Sequence, residues 1–168
     1  MEINILTTLS LTDIFDNLTD TQLKLVAAIC EPDVYKKGAV LLRENDDTDE
    51  FYVIARGSVE ILMDPMVVGT AVDEKIDPIV LTQLRQGQVF GEVALVDQGM
   101  RTATARVSRD DTQLLRIPRQ RIMLLCETYP ELGYKLMKNL AADLAFKIRN
   151  TDLTVRQYQL MLSQAMEK

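Results

Sequence analysis

Histidine and tryptophan are absent from this sequence, and only two cysteines occur. Without histidine the chain lacks the commonest metal ligand and the commonest general base at neutral pH. Cys30 and Cys126 lie far apart and match no metal-site spacing, so both are expected to be buried, reduced thiols. No apolar run approaches the ~20 residues that a membrane span requires. The opening "MEINILTTLSLTDIF" carries acids where a secretory leader needs positive charge. Basic tracts are missing too: 25 acidic residues against 19 basic ones leave a net charge of -6. Proteins that work on a nucleic-acid backbone usually carry a basic face instead. The expectation is a cytoplasmic protein with neither a nucleic-acid nor a membrane partner. No nucleophile–base pair or metal cluster stands out, so neither enzymatic activity nor a cofactor or metal is expected.

What is present suits a globular protein. With 47% hydrophobic and 26% charged residues in 168 positions, the chain can build one ordinary core and an appendage. Residues 11–30, "LTDIFDNLTDTQLKLVAAIC", have helical spacing at Leu23, Val26, Ala27 and Cys30, with Thr19 or Asp20 as N-cap. "EPDVYKKG" is expected to end that helix at its proline and turn the chain. From about residue 33 to 118 the texture changes to short apolar segments: "AVLLRE", "EFYVIA", "SVEILM", "PIVLTQL", "QVFGEVAL", "ATARVS" and "TQLLRIP". Gly38, "NDDTD", Gly57, Gly69, Gly87 and "SRDD" separate them, the pattern of an antiparallel barrel or jelly roll. Arg56-Gly57-Ser58 signals a tight hairpin, and "DPMVVGTAVDEKID" a longer one with its tip near Gly69. "NDDTDE" resembles a calcium loop in composition only and is expected to be a solvated turn.

Beyond Pro118 the period is helical again, with a break expected at Pro130 and Gly133. Tyr134, Ala141, Ile148, Val155 and Leu162 fall at one heptad position, and Met137, Leu144, Thr151, Tyr158 and Ala165 at the complementary one. This seam predicts a homodimer through the C-terminal helix. Leu132, Leu136 and Leu140 mark a second face, expected to pack on the chain's own core. The polar run "RNTD" at 149–152 allows a kink or a register-setting break. The expected fold is α+β: an antiparallel β-roll (a double-stranded β-helix or jelly roll) flanked by N-terminal helices and a long C-terminal helix. Its expected divisions are 1–32 (helical), 33–118 (β-roll) and 119–168 (C-terminal helices).

"FGEVALVDQGMRTA", residues 90–103, carries the candidate chemistry. A phosphodiester needs backbone N–H groups and an arginine fork around it, with small residues that let the backbone approach. Gly91 and Ala94 are small, a helical turn from Glu92 would aim N–H groups at an anion, and Arg101 returns across the loop. A carboxylate beside a phosphate is repelled, so Glu92 calls for a donor, and a sugar hydroxyl fits. Phe90, Val93 and Leu95 would supply an apolar wall. The plainer alternative is a surface ion pair between Glu92 and Arg101.

"FGEVAL", a short loop and then "RTATA" resemble the phosphate-binding cassette of cyclic nucleotide-binding domains, the family of the catabolite activator, the cAMP- and cGMP-dependent kinases and the cyclic nucleotide-gated channels. "YKKGAVLLREND", "DEFYVIARGSVEIL" and "LRQGQVFGEVAL" resemble the family's early strands, central hairpin and cassette entry, so the likeness covers most of the chain. The resemblance implies cAMP or cGMP as ligand. It implies that Glu92 binds the ribose 2′-hydroxyl and Arg101 the cyclic phosphate, with backbone at Gly91, Val93, Ala94 and Ala103 around both. Thr102 matches a threonine that meets the guanine amino group in cGMP-selective relatives, although other relatives with threonine prefer cAMP. Thr151 stands where a polar residue of the long helix reads the base. Met100 replaces the proline that often precedes the arginine, which loosens the loop without removing a contact.

The resembled transcription factors continue into a helix-turn-helix domain, whereas this sequence ends at Lys168 with no recognition helix or kinase motif. The expected role is therefore a regulatory or sensor module that relays occupancy to its dimerisation helix or to a downstream protein. The alternative is a scaffold or dimerisation protein whose pocket is empty or holds another small anion.

Overall fold

The computed structural model describes residues 3–63, 78–97 and 99–166. Two helices lead: α1 (Ile5–Ser10) and α2 (Asp20–Ala27), with a single 3-10 turn at Asp13–Phe15 between them. Helix therefore occupies less of residues 11–30 than the spacing predicts. The Thr19 hydroxyl accepts from the Gln22 N–H while Gln22 Oε1 accepts from the Thr19 N–H, a reciprocal cap that fixes the start of α2. Among the described residues eight strands follow: β1 (Glu31–Tyr35), β2 (Val40–Leu42), β3 (Phe51–Arg56), β4 (Ser58–Met63), β5 (Ile79–Arg85), β6 (Val89–Phe90), β7 (Thr104–Val107) and β8 (Thr112–Ile117). They form two antiparallel sheets in the orders β1-β8-β3-β6 and β2-β7-β4-β5. The longer hairpin expected near Gly69 lies outside the described residues.

Pro32 does not turn the chain. It lies within β1, which pairs with β8 from Glu31↔Arg116 onward. β1 is the outer strand of its sheet, where a residue without an N–H is tolerated. The roll thus begins at Glu31. In the opposite direction, "QVFGEVAL" yields only the two residues of β6 before the chain coils into a 3-10 turn at Glu92–Leu95.

Alternation along β3 builds two cores. Tyr52 and Ile54 point into the roll, among Leu42, Val59, Phe90, Ala105 and Leu114. Phe51 and Val53 point outward, among Leu9, Ile14, Phe15, Val26, Leu132, Leu136 and Leu140. β3 is consequently buried on both faces.

α3 (Arg119–Thr128) and α4 (Pro130–Met166) follow the roll. Gly133 does not break α4. A Cβ there would lie 2.8 Å from the Cys126 carbonyl oxygen, so the glycine serves the close packing of α4 on α3. The polar run at 149–152 does not interrupt the helix either. Asn139 donates through Nδ2 to the carbonyls of Ile14 and Asp16 and so fastens α4 to the N-terminal segment. Met137 and Leu144, the first two residues of the second heptad series, pack on the chain's own core. Farther along, Ile148 is 63% exposed and Val155 48% exposed, and Tyr158 and Leu162 are exposed as well.

Among the described residues, no helix is long and apolar enough to cross a membrane. Both cysteines are free thiols. Cys30 is buried and donates to the Val26 carbonyl, and burial pushes its thiol up to about 12.

Gly57, at φ 95°, makes the β3–β4 hairpin, and a Cβ there would lie 2.3 Å from Thr112 Oγ1 on β8. Gly57→Ala is expected to destabilise the fold by roughly 2–4 kcal/mol through backbone strain plus steric overlap. Thermal unfolding should show Tm lowered by roughly 4–16 °C.

Candidate functional site

β6 delivers Phe90 from the interior of the roll, and the chain then reverses at Gly91, whose φ is 77°. A Cβ on Gly91 would lie 3.1 Å from Arg101 Nη1, 3.1 Å from the Glu50 carbonyl oxygen and 3.2 Å from Leu42 Cδ1. The position therefore favours glycine twice, for its backbone conformation and for the guanidinium resting against it. Glu92 and Val93 lead the 3-10 turn, so their N–H groups face out of its N-terminal end. The loop back to β7 is shaped by an Asx turn in which Asp97 Oδ1 accepts from the Gly99 N–H at 2.7 Å.

Arg101 is 7% exposed, and its guanidinium is fixed by three acceptors. Nη1 donates to the Gly91 carbonyl at 3.0 Å, Nε to Thr48 Oγ1 at 3.0 Å, and Nη2 to the Glu50 carbonyl. The guanidinium carries more N–H donors than these acceptors occupy, so it can still grip an anion. Its backbone is fixed as well: the Arg101 N–H donates to the Asp46 carbonyl, and the Asn45 N–H donates to the Arg101 carbonyl. The acidic turn at 45–50 thus braces the arginine through backbone oxygens and a threonine hydroxyl.

Glu92 is 5% exposed and does not pair with Arg101. Its Oε1 lies 2.8 Å from Lys147 Nζ on α4, and the same ammonium lies 2.8 Å from Asp143 Oδ2 one helical turn earlier. Burial opposes the charge on Lys147, but the carboxylates of Glu92 and Asp143 outweigh it and hold the lysine above its ordinary pKa. The expected alternative of a surface Glu92–Arg101 ion pair is therefore corrected: both side chains are buried, and each is held by its own partners.

A cavity of about 540 Å³ joins these groups, a volume suited to a small organic ligand. All nine ligand candidates from the sequence line it: Phe90, Gly91, Glu92, Val93, Ala94, Arg101, Thr102, Ala103 and, from α4, Thr151. Leu95 does not belong to its wall. That side chain turns the other way, into the core shared with the helices.

Several lining residues escape sequence reasoning. Lys147, Asp143, Phe146 and Asn150 reach the cavity from α4, and Ile61, Thr82 and Leu84 line it from the β4–β5 pair. The α4 residues share the helical spacing of Thr151, and that spacing is the signal in the sequence that marks them. Nothing in the sequence marks Thr48 or Glu50 as supports of Arg101. On the far side of the turn, Arg119 Nε donates to the Ala94 carbonyl at 2.9 Å and links the 3-10 turn to the start of α3. Among the described residues, no group of three His, Cys, Asp or Glu side chains is placed to hold a metal ion.

Comparison with known proteins agrees with this geometry. Residues 32–129 match the family described as cyclic nucleotide-binding domain. Human cGMP-dependent protein kinase 2 is 26% identical over 128 residues, 76% of this chain and 16% of the kinase. The cyclic AMP receptor protein of Thermus thermophilus is 29% identical over 140 residues, 83% of this chain and 59% of that protein. The crystal structure of the Thermus thermophilus catabolite activator protein has a TM-score of 0.70 at 26% identity, covering 88% of this chain and 63% of that one. The chain therefore spans less than two thirds of each relative. With more than half of its residues matched, and with the roll, turn and long helix in the same arrangement, this chain belongs to the cyclic nucleotide-binding domain family.

Proposed function

We propose that this chain is a sensor module that binds cAMP or cGMP in the 540 Å³ cavity and passes occupancy on through α4. One observation carries the reading: two buried groups of opposite charge, Arg101 and Glu92, open onto the same cavity without neutralising each other. A cyclic nucleotide presents a matching pair, an anionic phosphodiester fused to a sugar that bears a free hydroxyl. In this reading the unused N–H donors of Arg101 and the leading N–H groups of the 3-10 turn take the phosphate. Gly91, Val93, Ala94 and Ala103 let the backbone approach it. Glu92 accepts the ribose 2′-hydroxyl through Oε2 while its Oε1 stays with Lys147. Phe90 and Val93 pack against the sugar, and Thr102 and Thr151 contact the base.

The ion pair from Glu92 to Lys147 makes α4 part of the site. Occupancy then changes the position of α4 to the extent that the ligand binds two placements of that helix unequally. The large apolar residues exposed along the distal part of the heptad seam, Ile148, Val155, Tyr158 and Leu162, supply a surface for homodimerisation through α4. The role is regulatory and not catalytic, carried out in the cytoplasm, and acts on a downstream protein instead of nucleic acid or membrane.

Calorimetric titration with cAMP and with cGMP is expected to show saturable binding of at least one of them. Arg101→Ala and Glu92→Ala should each weaken it by at least about 30-fold, the consequence of truncating a buried charged contact. Wild type that binds neither nucleotide, or variants that bind as wild type does, would sink the reading. For the seam, light scattering of wild type should give twice the protomer mass, and Ile148→Asp combined with Val155→Asp should give a monomer. A wild-type monomer at high micromolar concentration rules that dimer out.

A further inference from the structure

Two backbone carbonyls, at Glu50 and Gly91, accept from the Arg101 guanidinium; one lies just before β3 and the other just after β6. Tyr52 touches both segments. Its ring stacks on Phe90, the residue before Gly91, with centroids 5.1 Å apart and planes 7° from parallel. Its hydroxyl donates to Glu50 Oε1 at 3.2 Å. Tyr52 and Phe90 are also register partners across β3 and β6. The side chain is nearly fully buried within the roll interior, and its partner Glu50 lies where β3 begins. An apolar ring alone would fill this interior position equally well. The hydroxyl instead reaches out to fix the residue whose carbonyl holds Nη2.

Resting on the reading that Arg101 takes the ligand phosphate, we propose that Tyr52 is a positioning residue for Arg101: one ring and one hydroxyl tie the two carbonyl-bearing segments to each other and so set where the guanidinium points. Tyr52 does not touch the ligand. It acts through the guanidinium, because a bidentate fork loses grip when its carbonyl anchors shift by a fraction of an ångström. Burial, followed by the neighbouring Glu50 carboxylate, drives the phenol pKa upward, so the hydroxyl stays a donor throughout the ordinary pH range.

The test is a double-mutant cycle read by calorimetry with cAMP and with cGMP, accompanied by thermal unfolding of each ligand-free variant. Tyr52→Phe removes one oxygen and keeps the stacked ring. It should weaken binding by about fivefold, the scale of one internal hydrogen bond. Glu50→Ala removes the acceptor from the partly exposed side, should weaken binding to a similar extent, and should add little when combined with Tyr52→Phe. In an Arg101→Lys background, where no fork remains to be aimed, Tyr52→Phe should change affinity by less than about twofold. A merely structural tyrosine would give the same loss in both backgrounds, in step with lowered Tm, and that result overturns the proposal. Unchanged affinity in Tyr52→Phe, with wild type binding normally, overturns it and leaves the reading of the cavity intact. Failure of wild type to bind either nucleotide overturns that reading, and this inference with it.

Discussion

A guanidinium withdrawn from water must be given acceptors for its protons, and much of this molecule is arranged to meet that demand at Arg101. The carbonyls of Gly91 and Glu50 and the hydroxyl of Thr48 all turn toward it. Each needs its own backbone path: a left-handed reversal at Gly91, an irregular turn at 45–50, and a strand that starts at Phe51. The pairing of β3 with β6 brings the first and last of these paths together. An arginine held this way has little conformational freedom left to lose, which would favour the anion binding proposed for it.

The two cores divide the labour around this centre. The inner one fills the roll with Tyr52, Ile54 and Leu114, and its members Leu42, Phe90 and Ala105 also line the cavity. The outer one anchors α1, α2 and α4 to the first sheet through Leu9, Val26, Leu132, Leu136 and Leu140. α4 leaves the outer core after Leu144 and immediately presents Lys147 and Thr151 to the cavity. The same helix is therefore structural at its start, part of the site in its middle and exposed beyond it.

Much of this organisation is legible in the sequence, and the physical reasons are specific. The short apolar run "FYVIA", glycine at Gly57 and Gly91, and leucines at Leu132, Leu136 and Leu140 spaced about four residues apart are local signals. The placing of Glu92 and Arg101 on one cavity is legible because both lie within one loop. The supports are not. Thr48 and Glu50 serve Arg101 from more than fifty positions away, and Glu50 does so through a carbonyl that every residue type possesses. Lys147 on a long amphipathic helix reads as a solvated cation until the fold shows Glu92 beneath it. Pro32 misleads for a related reason: whether proline ends an element depends on whether its N–H side faces another strand, which only the sheet order reveals.

The unbroken course of α4 gives the Lys147–Glu92 contact a mechanical meaning. From Lys147 to Met166 the helix runs on for about 28 Å at 1.5 Å per residue. Were this rod to pivot beside the carboxylate, as the proposed relay requires, a swing of about 5° would move its far tip by roughly 2.5 Å. In the proposed relay, a small displacement at Lys147 would thereby be magnified to atomic-contact scale at the distal end.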